Sequence, residues 1–300
     1  MKPMADAKTA AKDARSTRRG QPRAVQAMQR STPNPSLLGH ELYARPRYYD
    51  HAFRAHRRDL AFYADLGSRT AGPVLELGAG TGRVTFALLR AGVSVTAVDL
   101  SEAMLARAEE RVRRLPAAER ARLQLRQGDL RSMRLNRKFK LVIAPFNLLM
   151  HMYTLDDVEA ALRSVRAHLA PGGAFVFDVL NPDFGVLRRS ASRFYRCRPI
   201  LDPSDGHRYA YAEQFAYDAA SQLQTVSMHF QRLDKPSIER TTPLVLRFFF
   251  PQELQALLRY NGFSVERHEG DFAGEPLSAD SESQVLVARL SPLKKASRLR

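Results

Sequence analysis

Short apolar runs alternate with amphipathic segments through the middle of the chain. Such runs predict buried strands, and apolar residues three or four positions apart predict helices packed against them. The pattern predicts strands at 73–77, 93–98, 122–126 and 139–144, and helices at 83–91, 102–114 and 155–168. Ser101 and Thr154 are favourable N-caps, and Asp157 stands in a capping-box position relative to Thr154. Because strands that alternate with helices need right-handed crossovers, we expect a parallel sheet.

The rhythm changes after Asp178, where polar and apolar residues alternate singly. Four such segments, at 194–198, 207–217, 224–233 and 241–249, are separated by turn-forming residues. A helix then begins with Pro251 at its first position and ends before Gly262, and strands at 263–268 and 284–289 follow. The chain therefore predicts an α/β fold in which an antiparallel sheet is inserted between the fifth and sixth strands of the main sheet.

The segment from Val74 to Gly82 is a strand that breaks into a Gly-x-Gly-x-Gly turn before a helix. Glycines at alternate positions let the backbone turn sharply and approach a ligand closely, because no Cβ intervenes. The second strand ends in Asp99, and an acid at that position can accept hydrogen bonds from both hydroxyls of a ribose. These features predict an adenosine-containing ligand at the carboxyl ends of parallel strands.

The spacing of the glycines distinguishes between nucleotides. Dinucleotide-binding folds prefer Gly-x-Gly-x-x-Gly, with a helix N-terminus facing a pyrophosphate. Here the third glycine comes one residue earlier, and Glu76 would repel a pyrophosphate but suits a ligand with an ammonium group. An acid followed by Gly-x-Gly-x-Gly resembles the signature of the class I S-adenosylmethionine-dependent methyltransferases.

The resemblance to this family covers roughly residues 70–181, with a weaker continuation at 245–290. Gln127-Gly128-Asp129-Leu130 resembles the adenine-contacting segment, 139–147 the fourth strand and its following loop, and 169–177 the turn into the fifth strand. The resemblance implies a Rossmann-like seven-stranded methyltransferase sheet and S-adenosyl-L-methionine as the cofactor, without a metal. The Tyr49-Asp50 pair and the inserted sheet resemble the amino-sugar and glycine N-methyltransferases within the family.

The resemblance also implies which residues bind the cofactor. They are the glycine loop, three acids and their neighbours: Tyr49, Glu76, Gly78, Ala79, Gly80, Gly82, Arg83, Asp99, Leu100, Met104, Gly128, Asp129, Leu130 and Phe146. Glu76 is expected to reach the ammonium group, Asp99 the ribose and Asp129 the adenine. Structural roles stay open beside these: a helix-end pair for Glu76, a turn cap for Asp129 and a core position for Met104.

Three residues are candidates for the chemistry of methyl transfer. Asn147 and His151 follow the fourth strand, where the family places the reactive end of its methyl donor, and His151 can accept a proton near neutral pH. The chain lacks the Asn/Asp-Pro-Pro-aromatic motif of the DNA-adenine and glutamine methyltransferases, which disfavours those two activities. Tyr43 belongs to an aromatic segment whose helix, beginning near Asp50, is expected to cover the cofactor as a lid. Capping by His151 and packing by Tyr43 are the structural alternatives.

Most of the net charge of +16 is concentrated in the tails. Residues 1–36 hold eight Lys/Arg against two Asp, and residues 294–300 hold four Lys/Arg and no acid. The first tail has too few large apolar side chains to fold, and a solvated role is favoured over binding to nucleic acid or a membrane. The single cysteine, Cys197, fits a reducing, cytoplasmic environment. No apolar run is long enough to span a bilayer, and no zinc-like cluster of Cys and His occurs.

The predicted organisation has five parts. They are a disordered basic tail at 1–36, the lid helix and cofactor-binding part at 37–181, an antiparallel substrate-covering insertion at 182–249, the C-terminal part of the methyltransferase domain at 250–292, and a basic tail at 293–300. Residues proposed to line a substrate pocket in the insertion are Arg196, Tyr209, Tyr211, Glu213, Phe215, His229 and Arg247. Period two puts Tyr209, Tyr211, Glu213 and Phe215 on one face, which is expected to look into the active site.

An insertion that covers the cleft favours a small acceptor with an amine or hydroxyl nucleophile, because a macromolecule needs an open groove. Two rival functions remain: an RNA or protein methyltransferase aided by the basic tails, and a catalytically silent regulator that only binds the cofactor. Steep salt dependence of binding would mark the first rival. The sequence leaves the oligomeric state open, with a homodimer as one option.

Overall fold

The computed structural model describes residues 40–291, so both predicted tails lie outside the described residues. Its main sheet has seven strands in the order β10-β11-β5-β4-β1-β2-β3. Their bounds are Val74–Leu77 for β1, Val95–Asp99 for β2, Leu123–Gln127 for β3, Phe139–Ala144 for β4, Leu169–Leu180 for β5, Phe263–Glu269 for β10 and Ser283–Leu290 for β11. The pairs among β1 to β5 are parallel, whereas β11 is antiparallel to both β5 and β10. The sheet is therefore mixed rather than wholly parallel.

Helices connect the strands as the apolar pattern predicted. Their bounds are His40–Tyr43 for α1, Pro46–Ala52 for α2, Arg58–Ser68 for α3, Arg83–Arg90 for α4, Glu102–Val112 for α5, Ala117–Arg120 for α6, Leu155–His168 for α7, Phe184–Leu187 for α8 and Pro251–Tyr260 for α9. The predicted N-caps are confirmed. Ser101 accepts a hydrogen bond from the Met104 N–H, and Thr154 and Asp157 form a reciprocal capping box. In the described part of the chain, no helix is long and apolar enough to cross a membrane.

The second sheet is antiparallel, with the order β6-β7-β8-β9. These strands are Tyr195–Leu201, Arg208–Asp218, Leu223–Arg232 and Glu239–Arg247. They lie in the chain between β5 and the segment α9–β10, which is where the sequence placed the insertion. One face of this sheet packs into the same apolar core as β4, β5 and the segment around α1 and α2, through Tyr209, Met228, Phe230, Leu244 and Leu246.

Two predicted elements differ from the structure. The lid helix expected to begin near Asp50 is two helices, α2 and α3, with a break between Phe53 and Arg57. The segment 169–173, expected to be a turn, extends along β4 as the first part of β5, with a register shift between Phe139 and Leu141. Gly172 still adopts φ +69° there, so the local turn tendency appears as an irregularity inside the strand.

Candidate functional site

The glycine loop joins β1 to α4 at the carboxyl end of the sheet. Gly78 and Gly80 have φ values of +63° and +58°, which side chains with a Cβ rarely adopt. A Cβ on Gly78 would lie 2.5 Å from Cδ1 of Leu148, in the 3-10 helix Leu148–His151 that follows β4. Glycine therefore lets the loop and the segment after β4 come into close contact.

Asp99 connects the glycine loop to the end of β2. One carboxylate oxygen accepts the N–H of Gly80 at 2.7 Å and the other accepts the N–H of Ser101 at 2.8 Å. Burial raises the pKa of Asp99, while these backbone bonds act in the opposite direction. Each carboxylate oxygen has a further lone pair, so Asp99 can still accept the hydrogen bonds predicted from the ribose hydroxyls.

Seven of the expected cofactor residues line one small cavity at the end of β1. They are Tyr49, Glu76, Gly78, Ala79, Gly80, Arg83 and Phe146. The cavity volume is about 30 Å³, which accommodates a group the size of water but not a nucleoside. Tyr49 comes from α2, so this helix forms part of the cavity wall beside the glycine loop.

The chemistry of Glu76 fits a ligand that carries an ammonium group. Its side chain is only 1% exposed and accepts a hydrogen bond from the Thr85 hydroxyl at 2.6 Å. Burial is the main cause that raises the pKa of Glu76 to about 8, and the Thr85 bond only partly offsets it. An ammonium group beside the carboxyl would stabilise its charged form. Thr85 lies within α4, so Glu76 makes the contact with this helix that was the structural alternative to binding the cofactor.

Arg83 is held by an acid that the sequence did not single out. Its guanidinium donates two hydrogen bonds of 2.6 Å to Asp59, whose side chain is fully buried, and lies 4.7 Å from the centroid of the Phe146 ring. The expected contact of Arg83 with the cofactor thus competes with a bidentate ion pair. This pair fastens α3 to the start of α4.

The segment expected to contact adenine is organised by Arg131. Asp129 accepts three hydrogen bonds from the Arg131 side chain, and Arg131 also donates to Asp157 at 2.8 Å. The Arg131 bonds are the largest cause that lowers the pKa of Asp129. The structure thus supports a structural role for Asp129 besides the expected one. Gly128 donates its N–H to the Asp99 carbonyl, which keeps this segment beside β2.

The remaining expected cofactor residues surround the same strand ends. Met104 and Leu130 are buried, with 2% and 7% exposure, whereas Leu100 is 46% exposed. Gly82, with φ +88°, is the N-cap of α4. Met104 fits its alternative as a core residue, although its Cε would lie 3.3 Å from a Cβ placed on Gly80.

Aromatic side chains from α1 to α3 cover the glycine loop and the segment after β4. Tyr49 and Phe53 pack with ring centroids 4.7 Å apart, and Phe53 and His56 both lie against Phe146, at 5.2 Å and 4.7 Å. Asp50 adds polar contacts, accepting hydrogen bonds from the Thr81 hydroxyl at 2.6 Å and from Arg107 Nε at 2.9 Å. This aromatic lid, residues 43–56, therefore closes over the site.

Two of the three candidate catalytic residues meet directly. The Tyr43 hydroxyl lies 2.8 Å from Nε2 of His151, and Nδ1 of His151 lies 3.4 Å from the hydroxyl of Tyr153. Tyr153 in turn donates to the Val245 carbonyl in β9 at 3.3 Å. Sequence reasoning missed Tyr153, although its position two residues after His151 is a usable signal. The chain of contacts links the lid, the segment after β4 and the inserted sheet.

Asn147, the third candidate, is fixed through its backbone by Asp178, another residue that the sequence reasoning missed. Phe146 and Asn147 have φ values of +59° and +64°, and their N–H groups donate to Asp178 at 2.9 Å and 3.2 Å. Asp178 also accepts the Tyr63 hydroxyl at 2.7 Å, and burial raises its pKa to about 6. The position of Asp178 at the carboxyl end of β5 was the available signal.

The residues proposed to line a pocket in the inserted sheet do not share one face. Tyr209, Tyr211, Glu213 and Phe215 share the face that packs towards the core, as period two predicted. The register of β6 to β9 puts Arg196, His229 and Arg247 on the opposite face, so these three do not line the same surface as the four inner residues. On the inner face, the Tyr211 hydroxyl donates to Glu213 at 2.6 Å.

Metal ligands are not assembled at this site: among residues 40–291, no group of three or more His, Cys, Asp or Glu side chains is placed to hold a metal ion. The arrangement instead offers a glycine loop, buried carboxylates and a His–Tyr pair. These parts can hold a nucleoside with an ammonium group and move a proton.

Comparison with known proteins relates this site to methyl transfer. Residues 74–173 match a family model described as a methyltransferase domain. A cypemycin N-terminal methyltransferase from a Streptomyces species is 29% identical over 215 residues, which cover 71% of this chain and 81% of that protein. The dTDP-3-amino-3,4,6-trideoxy-alpha-D-glucopyranose N,N-dimethyltransferase of Streptomyces venezuelae is 32% identical over 126 residues, 42% of this chain and 50% of that protein.

The fold is also that of a solved methyltransferase. The structure of CcbJ from Streptomyces caelestis superposes with a TM-score of 0.71 at 26% identity, covering 83% of this chain and 98% of that one. Residues 74–173 therefore carry a methyltransferase domain, and the chain as a whole is similar to the class I S-adenosylmethionine-dependent methyltransferases in its glycine loop, its sheet order and its fold.

Proposed function

We propose that the protein transfers the methyl group of S-adenosylmethionine to the amine nitrogen of a small molecule, with a hydroxyl oxygen as the alternative acceptor atom. The observation that carries this proposal is the 2.8 Å hydrogen bond between the Tyr43 hydroxyl and Nε2 of His151. It joins the lid to the segment after β4 and forms a proton acceptor at the carboxyl end of the sheet.

The direction of each hydrogen bond in this series follows from the bond that Tyr153 donates to Val245. Since Tyr153 donates to the Val245 carbonyl, its oxygen accepts from Nδ1 of His151, and Nε2 then accepts from the Tyr43 hydroxyl. Burial, followed by Tyr49, Tyr153 and Asp99, raises the pKa of Tyr43 well above its usual value. Tyr43 therefore stays protonated at neutral pH. It can accept a proton from the acceptor while passing its own proton to His151.

The cofactor-holding roles follow from the residues around the glycine loop. S-adenosylmethionine, when bound, supplies an electrophilic methyl group on a positively charged sulfur. The glycine loop and Asp99 would hold its ribose, and Glu76 its ammonium group. Phe146 and Tyr49 would exclude water from the reacting end. Such positioning is worth roughly 7–11 kcal/mol of the barrier, and a general base adds roughly 10²–10⁴-fold to the rate.

An amine acceptor is supported by the need for a base and by the relatives. An ammonium group has no lone pair, so a proton must leave before nitrogen can attack, which is the task open to His151. The names of both relatives specify nitrogen: an N-terminus in one and an N,N-dimethyl product in the other. The second name also describes an amino sugar, which supports a small acceptor.

The closed site favours this acceptor over the rival of an RNA or protein chain. The aromatic lid and the inserted sheet share one core with the strands that carry the site, which leaves a narrow cleft rather than an open groove. We place the reaction in the cytoplasm, a location that the single cysteine supports.

Methylation of a panel of amines tests the proposal. Amino sugars and peptides with a free N-terminus are incubated with S-adenosylmethionine, beside analogues with a hydroxyl in place of the amine. Mass spectrometry then detects products that have gained one methyl group. Methylated amine with unchanged hydroxyl analogue is expected. Binding of the cofactor without turnover of any acceptor would favour the silent regulator.

Substitution of His151 tests the base within the same assay. His151→Gln should lower turnover by roughly 10²–10⁴-fold with cofactor affinity intact, and the loss should shrink as pH rises and the acceptor deprotonates unaided. The matched control is Tyr260→Phe, at a tyrosine that is 84% exposed, which should leave turnover unchanged. A folded His151→Gln variant with normal turnover at every pH would remove His151 from the mechanism.

A further inference from the structure

A second cavity lies on the flank of the main sheet and shares no lining residue with the cavity at the glycine loop. Its volume is about 600 Å³, within the range of roughly 300–1,000 Å³ that small-molecule sites occupy. One wall is the segment 131–138, which leads from β3 to β4. The other is a face of α7, with Ala160, Arg163, Ser164 and Ala167 at positions i, i+3, i+4 and i+7.

The lining of this cavity is strongly basic. It contains Arg131, Arg134, Arg137, Lys138 and Arg163, and no Asp or Glu. Asp129 and Asp157 neutralise Arg131, and Arg163 lies 3.8 Å from Glu159 on the surface. Arg134, Arg137 and Lys138 form no ion pair within residues 40–291. No acid neutralises these three charges there, although Lys138 Nζ donates to the Leu169 carbonyl at 3.4 Å and Arg137 lies 5.5 Å from the centroid of the Phe139 ring.

A buried hydroxyl in the wall lacks a partner. Ser164 is 7% exposed, and its Oγ has no hydrogen-bond partner in the described part of the chain. The Oγ atom itself has essentially no accessible surface, so it lies behind the cavity wall and is not a direct donor to a ligand. The neighbouring His168 is different: Nε2 accepts the Leu135 N–H at 3.0 Å, and Nδ1 donates to the Ser164 carbonyl at 2.7 Å. Its role is structural.

We propose that this basic cavity binds a small molecule with two or more adjacent phosphate groups. Guanidinium groups recognise phosphate oxygens through paired hydrogen bonds, and several cations around one cavity match several negative charges better than a single carboxylate does. Met133 and Ala160 supply apolar surface for the rest of the ligand. The concave shape favours a small molecule over a nucleic-acid backbone, which needs an exposed basic stripe.

Titration calorimetry of the full chain with inorganic pyrophosphate at low salt tests this site. The unchanged protein should bind pyrophosphate saturably at one site. Arg134→Gln/Arg137→Gln should weaken binding by at least about tenfold, because it removes two charged donors. The matched control, Arg198→Gln/Arg259→Gln, removes the same charge at two exposed positions outside the cavity and should keep the affinity within about twofold.

Ser164→Ala serves as a second control, because the hydroxyl that it removes lies behind the cavity wall. It should keep the affinity for pyrophosphate within about twofold and should not lower the melting temperature. The proposal is overturned by absence of saturable binding, by equal loss in the Arg198/Arg259 control variant or by unchanged affinity in the Arg134/Arg137 variant. Retention of RNA without binding of pyrophosphate would also overturn it, in favour of a polymer surface.

Discussion

At the scale of single residues, the carboxyl groups beneath the lid carry their charge in unfavourable surroundings. Burial raises the pKa of Glu76 to about 8 and that of Asp178 to about 6. The folded protein therefore binds these protons more tightly than the unfolded chain does. It follows that the free energy of unfolding decreases as pH rises from the ordinary carboxyl range to about 6 for Asp178 and about 8 for Glu76. A ligand ammonium group would reduce this cost at Glu76.

Glu76→Gln should separate stability from cofactor binding. We expect the free energy of unfolding of the ligand-free protein at pH 8 to rise by on the order of 1–3 kcal/mol, because a neutral amide avoids a buried charge. Affinity for S-adenosylmethionine should fall, because the carboxylate partner of its ammonium group is lost. Urea denaturation between pH 5 and 8 and titration calorimetry measure the two effects. The control is Glu109→Gln, at an exposed position on α5, which should change neither the free energy of unfolding nor the affinity for S-adenosylmethionine. A Glu76→Gln variant that is less stable than the unchanged protein at pH 8 would contradict the argument.

At the scale of elements, α3 is held to the glycine-loop side of the site by one buried ion pair. Asp59→Ala removes the partner of Arg83 and leaves that guanidinium, with 18% side-chain exposure, uncompensated. We expect a loss of about 3–5 kcal/mol in the free energy of unfolding, measured by urea denaturation. Asp65→Ala on the same helix breaks an exposed pair with Arg69 and should cost no more than about 1 kcal/mol. Equal losses in the two variants would show that burial does not control the strength of the Asp59 pair.

The elements themselves were largely predictable, because their periodicity is local. Strands β1 to β4, helix α7 with its capping box and the four inserted strands lie close to the predicted positions. The two differences arise where local and tertiary preferences compete. The aromatic residues around Phe53 favour contacts with Phe146 over one continuous helix, and the turn-prone segment 169–173 gains backbone pairing with β4.

The partners of the site residues were less predictable than the elements. Gly78, Gly80 and Asp99 belong to one short motif, so spacing alone brought them together. Arg83 with Asp59, and Asp178 with the N–H groups after β4, join residues from separate elements. No periodicity encodes such pairs, since they exist only once the sheet and its helices have packed.

At the scale of the whole molecule, the lid, the glycine loop and the inserted sheet are joined by shared carboxylates. Asp202, with no exposed side-chain surface, accepts hydrogen bonds from Arg45 in the lid and from Arg240 in β9. On the other side of the lid, Asp50 binds Thr81 and Arg107. The cavity at the glycine loop holds about 30 Å³, so we expect this lid to open when the cofactor enters. The connection through Asp202 indicates that opening also involves the inserted sheet.

Asp202→Ala tests whether the lid and the inserted sheet move together. The variant leaves Arg45 and Arg240 without their shared partner, so we expect faster amide hydrogen exchange in both 40–53 and 239–247, with 74–99 unchanged. Asp234→Ala removes an exposed pair with Arg232 beside the same sheet and serves as the control, with unchanged exchange expected. S-adenosylhomocysteine should slow exchange in 40–53 of the unchanged protein, because the bound nucleoside needs a closed lid. Faster exchange in 239–247 alone would mean that the lid closes independently of the insertion, and that the acceptor is enclosed by the lid without help from the inserted sheet.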